Sequence, residues 1–134
     1  MGRLLVVDDE PDIVEVLRTL LEFEGHEVQT ASDGAEALRK ALDRPDSILL
    51  DVMLPGMTGW DVCATLKSDP KTSGIPVIMV SARTQREDVS RGREVGAEFY
   101  ITKPFDLMEL VSIVNDALES SGRQDARMAS ESAS

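Results

Sequence analysis

Asp8, Asp9, Asp51, Ser81 and Lys103 are the residues whose types and spacing fit chemistry, and each follows directly on a short, largely apolar run. Leu4-Leu5-Val6-Val7 runs into Asp8-Asp9, and Ile48-Leu49-Leu50 is closed by Asp51. Ile75-Pro76-Val77-Ile78-Met79-Val80 leads to Ser81, and Glu98-Phe99-Tyr100-Ile101-Thr102 to Lys103-Pro104. Apolar runs with no room for a polar face read as strands buried on both sides. A charged group is costly inside a sheet, so these carboxylates belong where a strand meets solvent or a cation. In an open parallel sheet that place is the carboxyl end of the strands. If the strands carrying Asp8-Asp9 and Asp51 are neighbours, three carboxylates converge. They repel by about 1–4 kcal/mol per pair at surface-like dielectric unless a cation intervenes. Hard oxygen ligands with room for water suit Mg²⁺. With an ammonium from Lys103 and a hydroxyl from Ser81, this is a phosphoryl-acceptor site in which Asp51 attacks in line.

The elements between these residues alternate regularly. Pro11, just inside a helix start behind an Asp able to cap it, opens a helix with Ile13, Val16, Leu17, Leu20 and Leu21 on one face, stopping at Gly25. Glu27 to Ala31 is a weaker, alternating strand. After the Asp33-Gly34 turn comes a helix with Ala37, Leu38, Ala41 and Leu42 as its buried stripe, broken at Arg44-Pro45-Asp46. A third helix spans about Trp60 to Ser68, with Val62, Cys63 and Leu66 inward. A mostly polar fourth helix runs from about Gln85 to Val95, where only Val89 and Val95 are clearly apolar, and Gly96 closes it. The last helix, about Asp106 to Glu119, presents Leu107, Leu110, Val111, Val114 and Leu118. Five βα repeats with short connections predict a doubly wound, flavodoxin-like α/β domain. Its five-stranded parallel sheet takes the common order 2-1-3-4-5, with helices on both faces. That order makes strands 1 and 3 neighbours. The domain is expected over 1–119, with 120–134 a polar, disordered tail or the start of a linker.

Bulk properties narrow the classes. A chain of 134 residues with 42% hydrophobic content supports one ordinary core. A formal net charge of -11 argues against direct binding to nucleic acid or to an anionic membrane surface. One cysteine, Cys63, excludes an internal disulfide and a cysteine zinc cluster, and reads as a small buried hydrophobe. Without a signal peptide or a long apolar segment, a cytoplasmic protein is expected. His26, after Gly25, reads as a turn residue.

From about Leu4 to Leu118 the chain resembles the receiver domain of bacterial two-component response regulators, on Asp8-Asp9, Asp51, Ser81 and Lys103-Pro104 at their successive strand ends. The resemblance implies that Asp51 accepts a phosphoryl group from a sensor histidine kinase, a phosphotransfer protein or a small phosphodonor. It implies a Mg²⁺ site of Asp8, Asp9, Asp51 and the backbone carbonyl of Met53, with Asp9 as the direct ligand and Asp8 acting through water. Ser81 corresponds to the switch hydroxyl, Lys103 to the lysine at the phosphoryl group, and the bond to Pro104 is expected to be cis. Tyr100, two residues after Glu98, stands where the family has its switch aromatic. Met53 and Arg83 occupy positions that flank the phosphoryl group and bear on its lifetime. The implied outcome is a signalling switch, with only self-catalysed phosphorylation and dephosphorylation. Its surface of fourth helix, fifth strand and fifth helix, with Arg86, Arg91 and Arg93 exposed, changes partners. The cognate kinase and the output stay unread, and a phosphorylation-dependent homodimer and a monomeric relay both remain open.

Taken singly, the same residues have plain structural uses: Asp8 and Asp9 as helix caps, Asp51 in a turn, Ser81 as an N-cap and Lys103-Pro104 in a loop. A flavin carrier of this fold needs a phosphate-binding loop where Asp8-Asp9-Glu10-Pro11 would repel it. A Mg²⁺-dependent aspartate-nucleophile phosphatase wants a second Asp two residues after the first, where Met53 stands. A phosphate-independent pseudo-receiver is the remaining alternative, and the intact acidic set gives it no support.

Overall fold

The structure is a computed structural model and describes residues 2–82, 90, 91 and 93–119. The described elements are β1 (Arg3–Val7), α1 (Pro11–Phe23), β2 (Glu27–Ala31), α2 (Gly34–Ala41), β3 (Ser47–Asp51), α3 (Gly59–Ser68), β4 (Val77–Ser81) and β5 (Phe99–Thr102). A C-terminal helix covers 107–119, and helical residues at 90, 91, 93 and 94 belong to the expected fourth helix, most of which lies outside the described residues. The expected tail also lies outside them. All five strands pair in parallel in the order β2-β1-β3-β4-β5, as the sequence predicts.

Alternate strand residues feed two cores, because successive side chains on a strand point to opposite faces. Leu5, Val7, Ile48, Leu50, Val77 and Met79 pack with Ala37 and Ala41 of α2 and with Trp60, Val62, Cys63 and Leu66 of α3. On the other face, Leu4, Val6, Leu49, Ile78, Val80 and Ile101 meet Leu17 and Leu21 of α1 and Leu110, Val114 and Ala117 of the C-terminal helix. Both faces are covered, so the central strands need no polar side and read as continuous apolar runs.

Several local expectations change. β4 begins at Val77, two residues later than expected. Pro76 has no N–H for the ladder, though its carbonyl still accepts from the Ile48 N–H at 3.0 Å. The N-cap of α1 is Glu10, without a side-chain cap, so Asp8 and Asp9 are not spent as its caps. Asp33 instead caps α2, accepting from the Glu36 N–H at 2.8 Å, and Asp106 accepts from the Met108 N–H at 2.8 Å at the start of the C-terminal helix. The apolar stripes are wider than the buried ones. Val16 is 46% exposed, Leu42 54% and Leu107 44%, because the sheet covers only the innermost ridge of each helix.

His26 closes the turn after α1, as expected, its backbone N–H donating to the Leu21 carbonyl at 3.1 Å, but its side chain is also buried. The residue is 8% exposed, and its Nδ1 accepts from the Gly2 N–H at 3.0 Å, which requires the neutral ring. Burial, ahead of neighbouring charge, holds its pKa below the ordinary 6.5. The unfolded chain therefore protonates at higher pH than the folded one. Stability from this residue is complete above 6.5 and falls as pH drops from there toward the lowered folded value. Urea midpoints taken from neutral to mildly acid pH should fall more steeply for the wild type than for His26→Gln. Equal slopes would contradict the assignment.

Candidate functional site

The acidic residues meet because of strand register. Val7 is opposite Leu50 across the β1–β3 pair, so the residues that follow, Asp8 and Asp51, emerge side by side. Asp8 is fixed by its backbone N–H, which donates to the Ala31 carbonyl at 3.1 Å. Its Oδ1 accepts from the Glu10 N–H at 2.9 Å, which turns the chain into α1. Asp51 ends β3, paired with Val80 of β4, and its Oδ1 accepts from the Met53 N–H at 3.2 Å. The close fit of Gly59 against the Asp51 carbonyl sets the path from β3 to α3. A Cβ there would lie 2.1 Å from the Asp51 carbonyl oxygen. The Gly59 N–H donates to the Val52 carbonyl at 2.8 Å.

Lys103 reaches the same place from β5. Its backbone N–H donates to the Ser81 carbonyl at 2.7 Å, tying the end of β5 to the end of β4, and the Lys103-Pro104 peptide is cis. The Nζ lies 2.8 Å from Asp8 Oδ2, 3.3 Å from Asp51 Oδ2 and 3.9 Å from Glu10 Oε1. Ser81 is fully buried at the end of β4. Tyr100 is half-buried in β5 and packs toward the α2/α3 core, while the Met53 side chain is exposed. Arg83 and Arg86 lie outside the described residues, and Arg93 is exposed.

Oxygens of Asp8, Asp9, Glu10 and Asp51 come within 4.8 Å of one another. Asp8 and Asp51 are buried; Asp9 and Glu10 are exposed. Glu10 is the member that the sequence reasoning left out. Its only signal was adjacency, since it follows Asp9 in the turn leading to α1. Burial raises the Asp51 pKa, and the Asp8 charge raises it further, against the Met53 N–H and the Lys103 ammonium. For Lys103 burial acts to lower the pKa. The hydrogen bond that Lys103 donates to Asp8 and the charges of Asp51 and Asp8 outweigh it and hold the ammonium above its ordinary value. Asp51 thus offers a carboxylate oxygen of raised basicity beside the Lys103 ammonium. One ammonium facing four carboxylates leaves a strongly negative pocket with only hard oxygen donors, a set that fits Mg²⁺ and neither a thiolate nor an imidazole metal site.

A parallel sheet in this order, with acids at the ends of β1 and β3 and a lysine at the end of β5, is the architecture expected of a receiver. The family description "Response regulator receiver domain" matches residues 4–115, and the chain belongs to that family. It is 44% identical over 129 residues to the DNA-binding response regulator MtrA of Mycolicibacterium smegmatis. That match covers 96% of this chain and 55% of the relative, so the chain spans about half the length of that protein. Among solved structures, the signal receiver domain of a signal transduction histidine kinase from Syntrophus aciditrophicus superposes with a TM-score of 0.83 at 38% identity, covering 90% of this chain and 92% of that one. The chemotaxis protein CheY4 of Vibrio cholerae does so with a TM-score of 0.83 at 34% identity, over 88% of this chain and 99% of that one. The family and its relatives agree with the expected phosphorylation-activated switch, and nothing in them favours the pseudo-receiver or phosphatase alternatives. Among the described residues no helix is long and apolar enough to cross a membrane.

Proposed function

We propose that Asp51 is the phosphoacceptor, taking a phosphoryl group from a sensor histidine kinase, a phosphotransfer protein or a small phosphodonor. The observation that carries this is the Lys103 ammonium spanning Asp8 and Asp51 at adjoining strand ends, within a pocket of four carboxylates. An Asp51 Oδ–P bond forms as the donor's bond to phosphorus breaks on the opposite side, and a departing imidazole takes up a proton. Lys103 Nζ holds a phosphoryl oxygen in place of its present carboxylate partners. The buried Ser81 hydroxyl takes another as the switch group. Asp9 and Asp51 would hold Mg²⁺ directly, with Asp8 acting through water and Met53 through its carbonyl; the ion supplies charge neutralisation on the phosphoryl oxygens. Each chain takes one phosphoryl group and loses it to water, so the activity is self-directed and not turnover of a separate substrate.

Phosphorylation then shifts the population between two arrangements of the domain. Ser81 moves toward the phosphoryl group, Tyr100 fills the space vacated, and the surface of fourth helix, β5 and C-terminal helix repacks for a protein partner. We assign the domain 1–119 to this switch, residues 120–134 to a tail or linker, and the whole to the cytoplasm. The net charge of -11 supports contacts with proteins and none with nucleic acid or membrane by this domain itself. A DNA-binding output like that in MtrA's name would belong to a part of the protein beyond this domain.

Phosphorylation by acetyl phosphate is the direct test. Label should appear with Mg²⁺ and fall at least about 10²-fold in excess chelator, the scale on which one positioned electrostatic group acts. Undiminished labelling in chelator would rule out Asp8 and Asp9 as holders of an ion that the transfer needs.

A further inference from the structure

One face of α3 grips the segment made of the end of the fourth helix and the residues that join it to β5. Trp60, Cys63 and Lys67 stand at i, i+3 and i+7 and so line one side of the helix. Each takes a partner from that segment. The Arg91 Cζ lies 4.4 Å from the Trp60 ring centroid. The Cys63 thiol donates to the Val95 carbonyl at 3.5 Å, and Lys67 Nζ pairs with Glu98 Oε1 at 2.6 Å. The Lys67–Glu98 contact is anchored. Glu98 also accepts from the Val77 N–H at 2.6 Å, and Lys67 also donates to the Ile75 carbonyl at 2.8 Å. Gly96 turns there at φ 98°, with the Lys67 stem where a Cβ would stand. The Arg91–Trp60 contact, by contrast, is made by one exposed, flexible side chain. Its partner Trp60 adjoins Gly59, the residue packed against the Asp51 carbonyl.

We propose that the Arg91–Trp60 stack is a latch. It holds the end of the fourth helix on α3 in the unphosphorylated arrangement and opens, about the fixed point at Gly96, when Asp51 is phosphorylated. The latch rests on the phosphoacceptor assignment and adds a second route to that through Ser81 and Tyr100, running from the β3–α3 loop through Trp60. Arg91 therefore stabilises the resting state and sets how readily the domain switches.

The test is calorimetric titration of beryllofluoride, a phosphoryl mimic, in excess Mg²⁺ against wild type, Arg91→Ala and Arg91→Lys. Losing an exposed cation–π contact from the resting state should tighten apparent binding about two- to five-fold in Arg91→Ala. Arg91→Lys, which keeps a cation over the ring, should stay closer to wild type. Unchanged or weaker binding by Arg91→Ala, or equal tightening in both variants, would overturn the latch while leaving Asp51 as acceptor. No binding by the wild type would overturn the acceptor assignment and the latch with it.

Discussion

Asp51→Asn should take up no phosphoryl group from acetyl phosphate under conditions where the wild type labels fully. Asparagine has the same shape but no anionic oxygen able to form a bond to phosphorus, so the loss is of chemistry and not of packing. The variant should fold at least as well as the wild type. In the wild type, burial and the Asp8 charge work against the Asp51 carboxylate, which raises its pKa. A neutral amide relieves both effects, and Lys103 keeps its 2.8 Å contact with Asp8. Intact-mass measurement of label, alongside thermal unfolding, separates the two claims. Persistent labelling at the same stoichiometry would exclude Asp51 as acceptor. A folded protein with no label is the predicted pair of results.

Gly59→Ala should be the most damaging small substitution at the site. The new Cβ would lie 2.1 Å from the Asp51 carbonyl oxygen and 2.8 Å from the Val52 Cα. Both are backbone atoms, so no side chain can swing aside, and either β3 or the start of α3 must move. Movement there breaks the 2.8 Å bond from the Gly59 N–H to the Val52 carbonyl and displaces Trp60 from the α2/α3 core. A cost of about 3 kcal/mol or more is expected, at the upper end for overpacking because nothing flexible absorbs the clash. Denaturant unfolding measures it directly. A change within about 0.5 kcal/mol, the size of an ordinary surface substitution, would show that the loop adapts freely.

What the sequence made legible follows from how sharply physics constrains each element. Strands buried on both faces leave unbroken apolar runs, so β1, β3 and β4 stand out, and an Asp closing such a run must mark a strand end. Even the crossover order follows, since βα repeats have few solutions. Side-chain contacts across the fold are less visible. Nothing in the spacing says that Arg91 lies over Trp60, because the two belong to elements that only the packing brings together. Val16, Leu42 and Leu107 misled because an apolar stripe shows what a helix is able to bury, while its neighbours decide how wide a face is covered. His26 is legible as a turn residue, but its buried side chain is not, because its Nδ1 partner is the Gly2 N–H, far away in sequence. Glu10 is inconspicuous beside two acids that close a strand, although the same turn carries it into the pocket.

The most direct measurement is the position of the phosphoryl group on the wild-type chain. After reaction with acetyl phosphate and Mg²⁺, borohydride reduces an aspartyl phosphate to homoserine, and peptide mapping reads where that residue lies. Homoserine at position 51 alone is the expected result. Label trapped at Asp8, Asp9 or another carboxylate, or a chain that yields no homoserine while the phosphodonor is consumed, would contradict the assignment of Asp51 as the acceptor.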